Sequence, residues 1–163
     1  MLKRFFALAS LTLACQLAHA HDHAHEAAAG AGNPGHDTMK IEQVWSRAVP
    51  PTPPTGAVYF KLHSQAAEAD RLIGAHTPRA QKAELHTHVH QGGVMRMEEV
   101  EVVEIPANGQ VEFKPGGHHV MLFGVTEPLV AGEHFPITLE FEKAGEITLD
   151  VTITDQAPAE HHH

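Results

Sequence analysis

Histidine and methionine crowd two stretches of this 163-residue chain, AELHTHVHQGGVMRMEEV at 83–100 and PGGHHVMLFGV at 115–125. In an extended backbone alternate side chains share a face. His86, His88 and His90 therefore point one way, Met95 and Met97 share a face, and so do His119 and Met121. Gly92-Gly93 between the first two sets is a tight-turn signal, and a hairpin there brings histidines opposite methionines. Neutral imidazole and thioether are borderline-to-soft ligands without charge, a set that suits copper(I) better than a hard cation. The chemistry predicted is metal binding at His86, Met97, His119 and Met121, with His88 as an auxiliary donor.

Each position also has a plainer reading. Met95 is expected to fill the core, as strand methionines commonly do, and Met39 is read as structural. His63, His76 and His134 read as surface or hydrogen-bonded histidines, and Glu84, Glu98 and Glu99 as a solvated face. His90 and His118 stand beside the candidate ligands without a firm role.

The elements that must position these donors are strands. Segments rich in Val, Ile, Leu, Phe and Thr are separated by Gly, Pro, Asn and Asp. They predict strands near Met39–Arg47, Gly56–Ser64, Arg71–His76, Lys82–His90, Val94–Ile105 (one strand, or two joined at a bend), Gln110–Lys114, His119–Val125, Phe135–Phe141 and Glu146–Thr154. Ile137, Leu139 and Phe141 alternate with Thr138 and Glu140, and Ile147, Leu149, Val151 and Ile153 with Thr148, Asp150 and Thr152, so those strands have one buried face. Helix is limited to a turn or two around Pro78–Lys82. The predicted fold is all-β, an antiparallel sandwich or Greek-key barrel.

Composition narrows the function. Lys+Arg 11 against Asp+Glu 20 gives a formal charge of −9, the wrong sign for nucleic acid. Residues 1–20 read as an export signal: basic Lys3 and Arg4, an apolar run from Phe5 to Cys15, and Ala18-His19-Ala20 before the cut. A lipid anchor on Cys15 is the less favoured alternative, because Thr12 stands where such signals usually carry leucine. No apolar run is long enough to span a bilayer. Cleavage after Ala20 removes Lys3, Arg4 and Cys15, so the charge becomes −11 and no cysteine remains. Disulfides, thiol exchange, cysteine zinc sites and a blue-copper centre are thereby excluded. The mature chain is expected in the periplasm as a monomer.

The chain divides into signal (1–20), a flexible His-rich arm (21–38), the β domain (39–155) and a polar tail (156–163) ending in His161, His162 and His163. The arm carries His21, His23, His25 and His36. A mature terminus His21-Asp22-His23 offers an amine and a third-position histidine, a near-square nitrogen set for copper(II) or nickel(II).

His86, ten intervening residues, Met97, twenty-one intervening residues, then His119-Val120-Met121 resembles the metal motif of the PCuAC family, periplasmic copper(I) chaperones. Gly56-Ala57-Val58-Tyr59-Phe60, Ala83-Glu84-Leu85-His86-Thr87, Gly93-Val94-Met95-Arg96-Met97, Pro115-Gly116-Gly117, Pro128-Leu129 and Leu139-Glu140-Phe141 extend the likeness over about 39–154. The resemblance implies a cupredoxin-like fold, copper(I) on those four residues, and delivery to the CuA centre of cytochrome c oxidase or related respiratory oxidases. This chain departs from many members at His88, where they carry methionine. The rivals are a periplasmic buffer for copper(II), zinc or nickel built on the histidine-rich arm, and a copper oxidative enzyme using the amino-terminal His21.

Overall fold

The computed structural model describes residues 37–50, 52 and 54–158. The expectations for the export signal, for His21, His23, His25 and His36, and for His161 to His163 lie outside the described residues. Ten strands follow in chain order: β1 (Met39–Arg47), β2 (Thr55–Ser64), β3 (Asp70–His76), β4 (Ala80–Gln91), β5 (Val94–Glu99), β6 (Val103–Ile105), β7 (Gln110–Phe113), β8 (His119–Val125), β9 (His134–Phe141) and β10 (Gly145–Thr154). They form one sheet in the order β5-β4-β8-β2-β1-β10-β9-β3-β6, with β7 added on β2. Among the described residues there is no helix. At the expected helical turn, residues 78–79 make a tight turn and β4 begins at Ala80.

The alternation read from the sequence becomes the core. Val58, Phe60 and Leu62 of β2, Leu85 of β4, Val120 and Leu122 of β8, Ile137, Leu139 and Phe141 of β9, and Ile147, Val151 and Ile153 of β10 pack into one buried cluster. Phe60 stacks on Phe113 with ring centroids 4.2 Å apart. Met39 belongs to the same cluster, as its structural reading requires.

Three features depart from a simple antiparallel series. The stretch Val94–Ile105 is two strands, because β5 pairs with β4 whereas β6 pairs with β3 at the other end of the strand order. The Val100 amide donates to Leu85 O, 2.9 Å, where the chain leaves the hairpin. β1 and β10 pair in parallel, Trp45 opposite Thr152, while β1 pairs antiparallel with β2. Finally, β1 carries a bulge between Glu42 and Trp45, with Gln43 at φ 52°. One extra residue inverts the alternation. Ile41 sits opposite core Leu62, but Trp45 sits opposite Tyr59 on the outer face.

Candidate metal centre

The β4–β5 hairpin turns at Gly92 (φ 61°) and Gly93 (φ 81°), the two positive values that a tight two-residue hairpin needs. That turn fixes the register: His90 faces Met95, His88 faces Met97, and His86 faces Glu99. On its other edge β4 meets β8, with His86 opposite His119 and Glu84 opposite Met121. Leu85 and Val120 point to the core, so the odd members of β8 and the even members of β4 share the outer face.

Although it lies on that outer face, His119 is only 3% exposed. Its Nδ1 donates to Gly117 O at 3.0 Å, which leaves Nε2 with a lone pair, and Nε2 stands 3.0 Å from Met97 Sδ. Burial, together with the neighbouring His88, His86 and His118, pushes the His119 imidazole below its ordinary value of 6.5, against the raising effect of the Gly117 bond. Two lone pairs thus meet with no proton between them. A soft cation relieves such a contact, since nitrogen and thioether sulfur can both donate to it.

His86 is 9% exposed, and its ring centroid is 5.8 Å from that of His119. Its Nε2 donates to Glu84 Oε2 at 2.8 Å. Bonds to His86 and then to Lys82 hold the Glu84 carboxyl below the usual carboxylate range, so it accepts as an anion. Nδ1 of His86 is buried and has no hydrogen-bond partner. In the tautomer that donates from Nε2 to Glu84, Nδ1 carries a lone pair. A second available donor therefore sits beside the first.

The remaining predicted donors divide. His88, half-buried, has its ring 5.2 Å from His119 and its Nδ1 3.4 Å from Gly117 O. Met121 is half-buried on the outer face of β8, between Glu84 and Ala57 in register. His118 points the other way, its ring 5.6 Å from Phe113, and stays out of the cluster. His63, His76 and His134 lie beside Glu42, Glu140 and Asp150, as their surface reading anticipates. Among the described residues no three His, Cys, Asp or Glu side chains gather as a metal site.

Two sequence readings are corrected. Met95 does not fill the core. It is 51% exposed, because β5 is an edge strand and nothing among the described residues packs over its outer face. Glu84 is not part of a solvated face: its side chain is 11% exposed and orients His86, whereas Glu98 and Glu99 are exposed as expected. The signal for Glu84 was present in the alternation, which places residue 84 on the face of His86. Gly117 was missed as an orienting group because a backbone carbonyl leaves no mark in side-chain spacing. Trp45 and Tyr59, with centroids 4.8 Å apart, extend the outer face behind His119, 6.3 Å from Tyr59.

The architecture is a cupredoxin-like β fold. The sequence model of the LpqE-like family ("Putative lipoprotein LpqE-like") matches residues 39–153, and the chain belongs to that family, which is the PCuAC family. "Putative lipoprotein Lxx21020" of Leifsonia xyli subsp. xyli is 28% identical over 130 residues, 78% of this chain and 77% of the relative. The copper-bound PCuAC domain from PmoF2 superposes with a TM-score of 0.62 at 28% identity, covering 73% of this chain and 94% of that one. The solution structure of copper(I)-bound DR1885 from Deinococcus radiodurans gives 0.59 at 31% identity, covering 77% and 85%. No helix among the described residues is long and apolar enough to cross a membrane.

Proposed function

We propose that this protein is a copper chaperone that holds one copper(I) ion on His86, Met97, His119 and Met121. The observation that carries the reading is the meeting of His119 Nε2 and Met97 Sδ at 3.0 Å, in a domain similar to copper-bound PCuAC domains. Copper here is cargo, not a resident cofactor. The four donors are uncharged, so they favour the monovalent ion, and none is a thiolate. An acceptor offering thiolates takes the ion downhill by ligand exchange, one donor replacing another with no change of oxidation state. Met97 is 46% exposed, so the exchange can begin at the surface. No general base or activated nucleophile is required, and the role is binding and delivery rather than catalysis.

The acceptor in this reading is the CuA subunit of cytochrome c oxidase or a related respiratory oxidase, met in the periplasm after cleavage of the export signal. The arm then offers a separate copper(II) site at His21 and His23, with His25 as a further donor. Mass spectrometry of the mature amino terminus distinguishes His21 as first residue from a lipidated Cys15.

The deciding experiment is a copper(I) competition titration of the mature protein, followed by mixing with an apo CuA domain. Copper is expected to move to the acceptor; retention on this protein would refute delivery. X-ray absorption of the copper(I) form is expected to show both sulfur and nitrogen scattering, and a shell of nitrogen and oxygen alone would refute the site.

A further inference from the structure

The outer face of the hairpin carries more soft donors than the four-residue set uses. Its rungs are His90 with Met95, then His88 with Met97, then His86 between Glu99 and His119. Burial rises along them. His90 and Met95 are exposed at the tip, His88 is half-buried, and His86 and His119 are buried. The 5.2 Å between the His88 and His119 rings makes this series continuous with the inner pair. Nothing among the described residues hydrogen-bonds the His90 ring, and His88 has only its long contact to Gly117 O.

Directly opposed residues of an antiparallel pair have Cβ atoms about 4.5–5.5 Å apart, and same-face neighbours along a strand lie about 6.8 Å apart. His88, His90 and Met95 satisfy both relations, so two imidazoles and a thioether can reach one ion. The set carries no charge and includes sulfur, which again selects copper(I) over zinc or a hard cation.

We infer that His88, His90 and Met95 form a second copper(I) site at the hairpin tip, the station through which copper enters and leaves the inner site. It rests on the copper(I) reading above for its inner neighbour. His88 is shared: from the tip it swings the ion toward Met97 and His119, and each move breaks one bond from copper to nitrogen or sulfur as another forms. Copper stays monovalent throughout, and an imidazole that carries a proton gives it to solvent as its nitrogen takes the ion. β5 is the edge strand and all six of its residues are exposed, so a partner protein meets Met95 before it meets His86 or His119.

The test uses the full chain labelled with ¹³C at the methionine methyls and titrated with copper(I) without oxygen. The Met97 and Met121 methyl signals are expected to shift over the first equivalent, and the Met95 signal over the next. His90→Ala should abolish the Met95 shift and leave the other two intact. A Met95 methyl unmoved in excess copper(I), or one that shifts identically in the H90A chain, overturns the tip site. Failure of the inner reading shows separately, as unmoved Met97 and Met121 methyls.

Discussion

Asp70 and the His86/His119 pair are both buried polar positions, set in strands near opposite ends of the strand order, and they are satisfied in opposite ways. Asp70 Oδ1 accepts from the Arg71 and Lys143 amides at 2.7 and 2.9 Å, and Oδ2 accepts from the Ala144 amide at 2.9 Å. Those bonds tie β3 to the turn between β9 and β10, and both carboxylate oxygens are occupied. In the histidine pair, one nitrogen of each ring is tied down and the other is left with a lone pair, His86 Nδ1 unpartnered and His119 Nε2 against sulfur. Folding gains from a fully bonded carboxylate, whereas a buried lone pair without a donor costs stability. Arg79 Nε and His118 Nδ1 are also buried without a hydrogen-bond partner, so the missing bond alone does not mark the site; what sets it apart from scaffold is that His86 is packed beside His119, whose open nitrogen meets a thioether.

The strongest way to break that contrast is to exchange the effects. Asp70→Ala strands three backbone donors and should destabilise the metal-free protein by about 3 kcal/mol, read from urea unfolding, while copper(I) affinity of the folded fraction stays unchanged. A fall in affinity would mean the two regions are not separate. Met97→Leu should do the reverse. Its side chain is largely exposed, so stability should change by less than about 0.5 kcal/mol. Losing a direct sulfur donor should weaken copper(I) binding by about a hundredfold or more, beyond the usual cost of removing an outer-shell partner. Met121→Leu should behave in the same way. If binding survives both substitutions, a histidine-based metal buffer replaces the chaperone reading.

The scaffold was more legible than the site's supports, and the reason lies in range. Period-two alternation is written into each strand locally, which is why Ile137, Leu139 and Phe141 fell on the buried face as read. The split after Glu99 was left open because Val-Glu-Val-Val-Glu at 100–104 continues a strand-like pattern; only the change of partner from β4 to β3 breaks it. The bulge at Gln43 carries no glycine to announce it, so the outward turn of Trp45 depended on pairing with distant β2. Parallel pairing of β1 with β10 likewise joins residues about a hundred positions apart. Around the site, alternation puts His86 with His88 and His90 on one face of its strand and His119 with Met121 on one face of theirs, whereas the pairing of His86 with His119 depends on the distant β4–β8 contact and the tautomers on Glu84 and the Gly117 carbonyl.

Those tautomers give a sharper and smaller test. Glu84→Gln removes the anion that holds the proton on His86 Nε2 while keeping the side chain's size. Copper(I) affinity should fall about tenfold, the lower end for an outer-shell partner of a ligating histidine. The ¹⁵N shifts of His86 in the metal-free protein should show its tautomer preference relaxing, a readout that a merely structural glutamate would not move. An unchanged His86 spectrum with weakened binding would assign Glu84 to general electrostatics instead.

The smallest expected effect is in pH, and its sign follows from which state holds the proton. Burial lowers the His118 and His119 imidazoles below 6.5, so near that pH the unfolded chain binds more protons at these positions than the folded one. Stability then rises with pH across this interval: the contribution is complete above about 6.5 and is lost as pH falls through 6.5 toward the folded values. Glu42, Glu68, Glu84, Glu112 and Glu142 are lowered from 4.5 by bonds to cationic partners and to His86, so their contribution is lost only on further acidification, below 4.5. The urea midpoint of the metal-free protein should therefore decline in two stages, with His119→Asn flattening the upper one and leaving the lower. Copper(I) on His119 Nε2 competes with the same proton, so affinity should also begin to weaken below 6.5. A midpoint flat between pH 7 and 5 would show that burial does not hold the His118 and His119 imidazoles below 6.5, and the free His119 Nε2 lone pair that separates this site from Asp70 would lose its support.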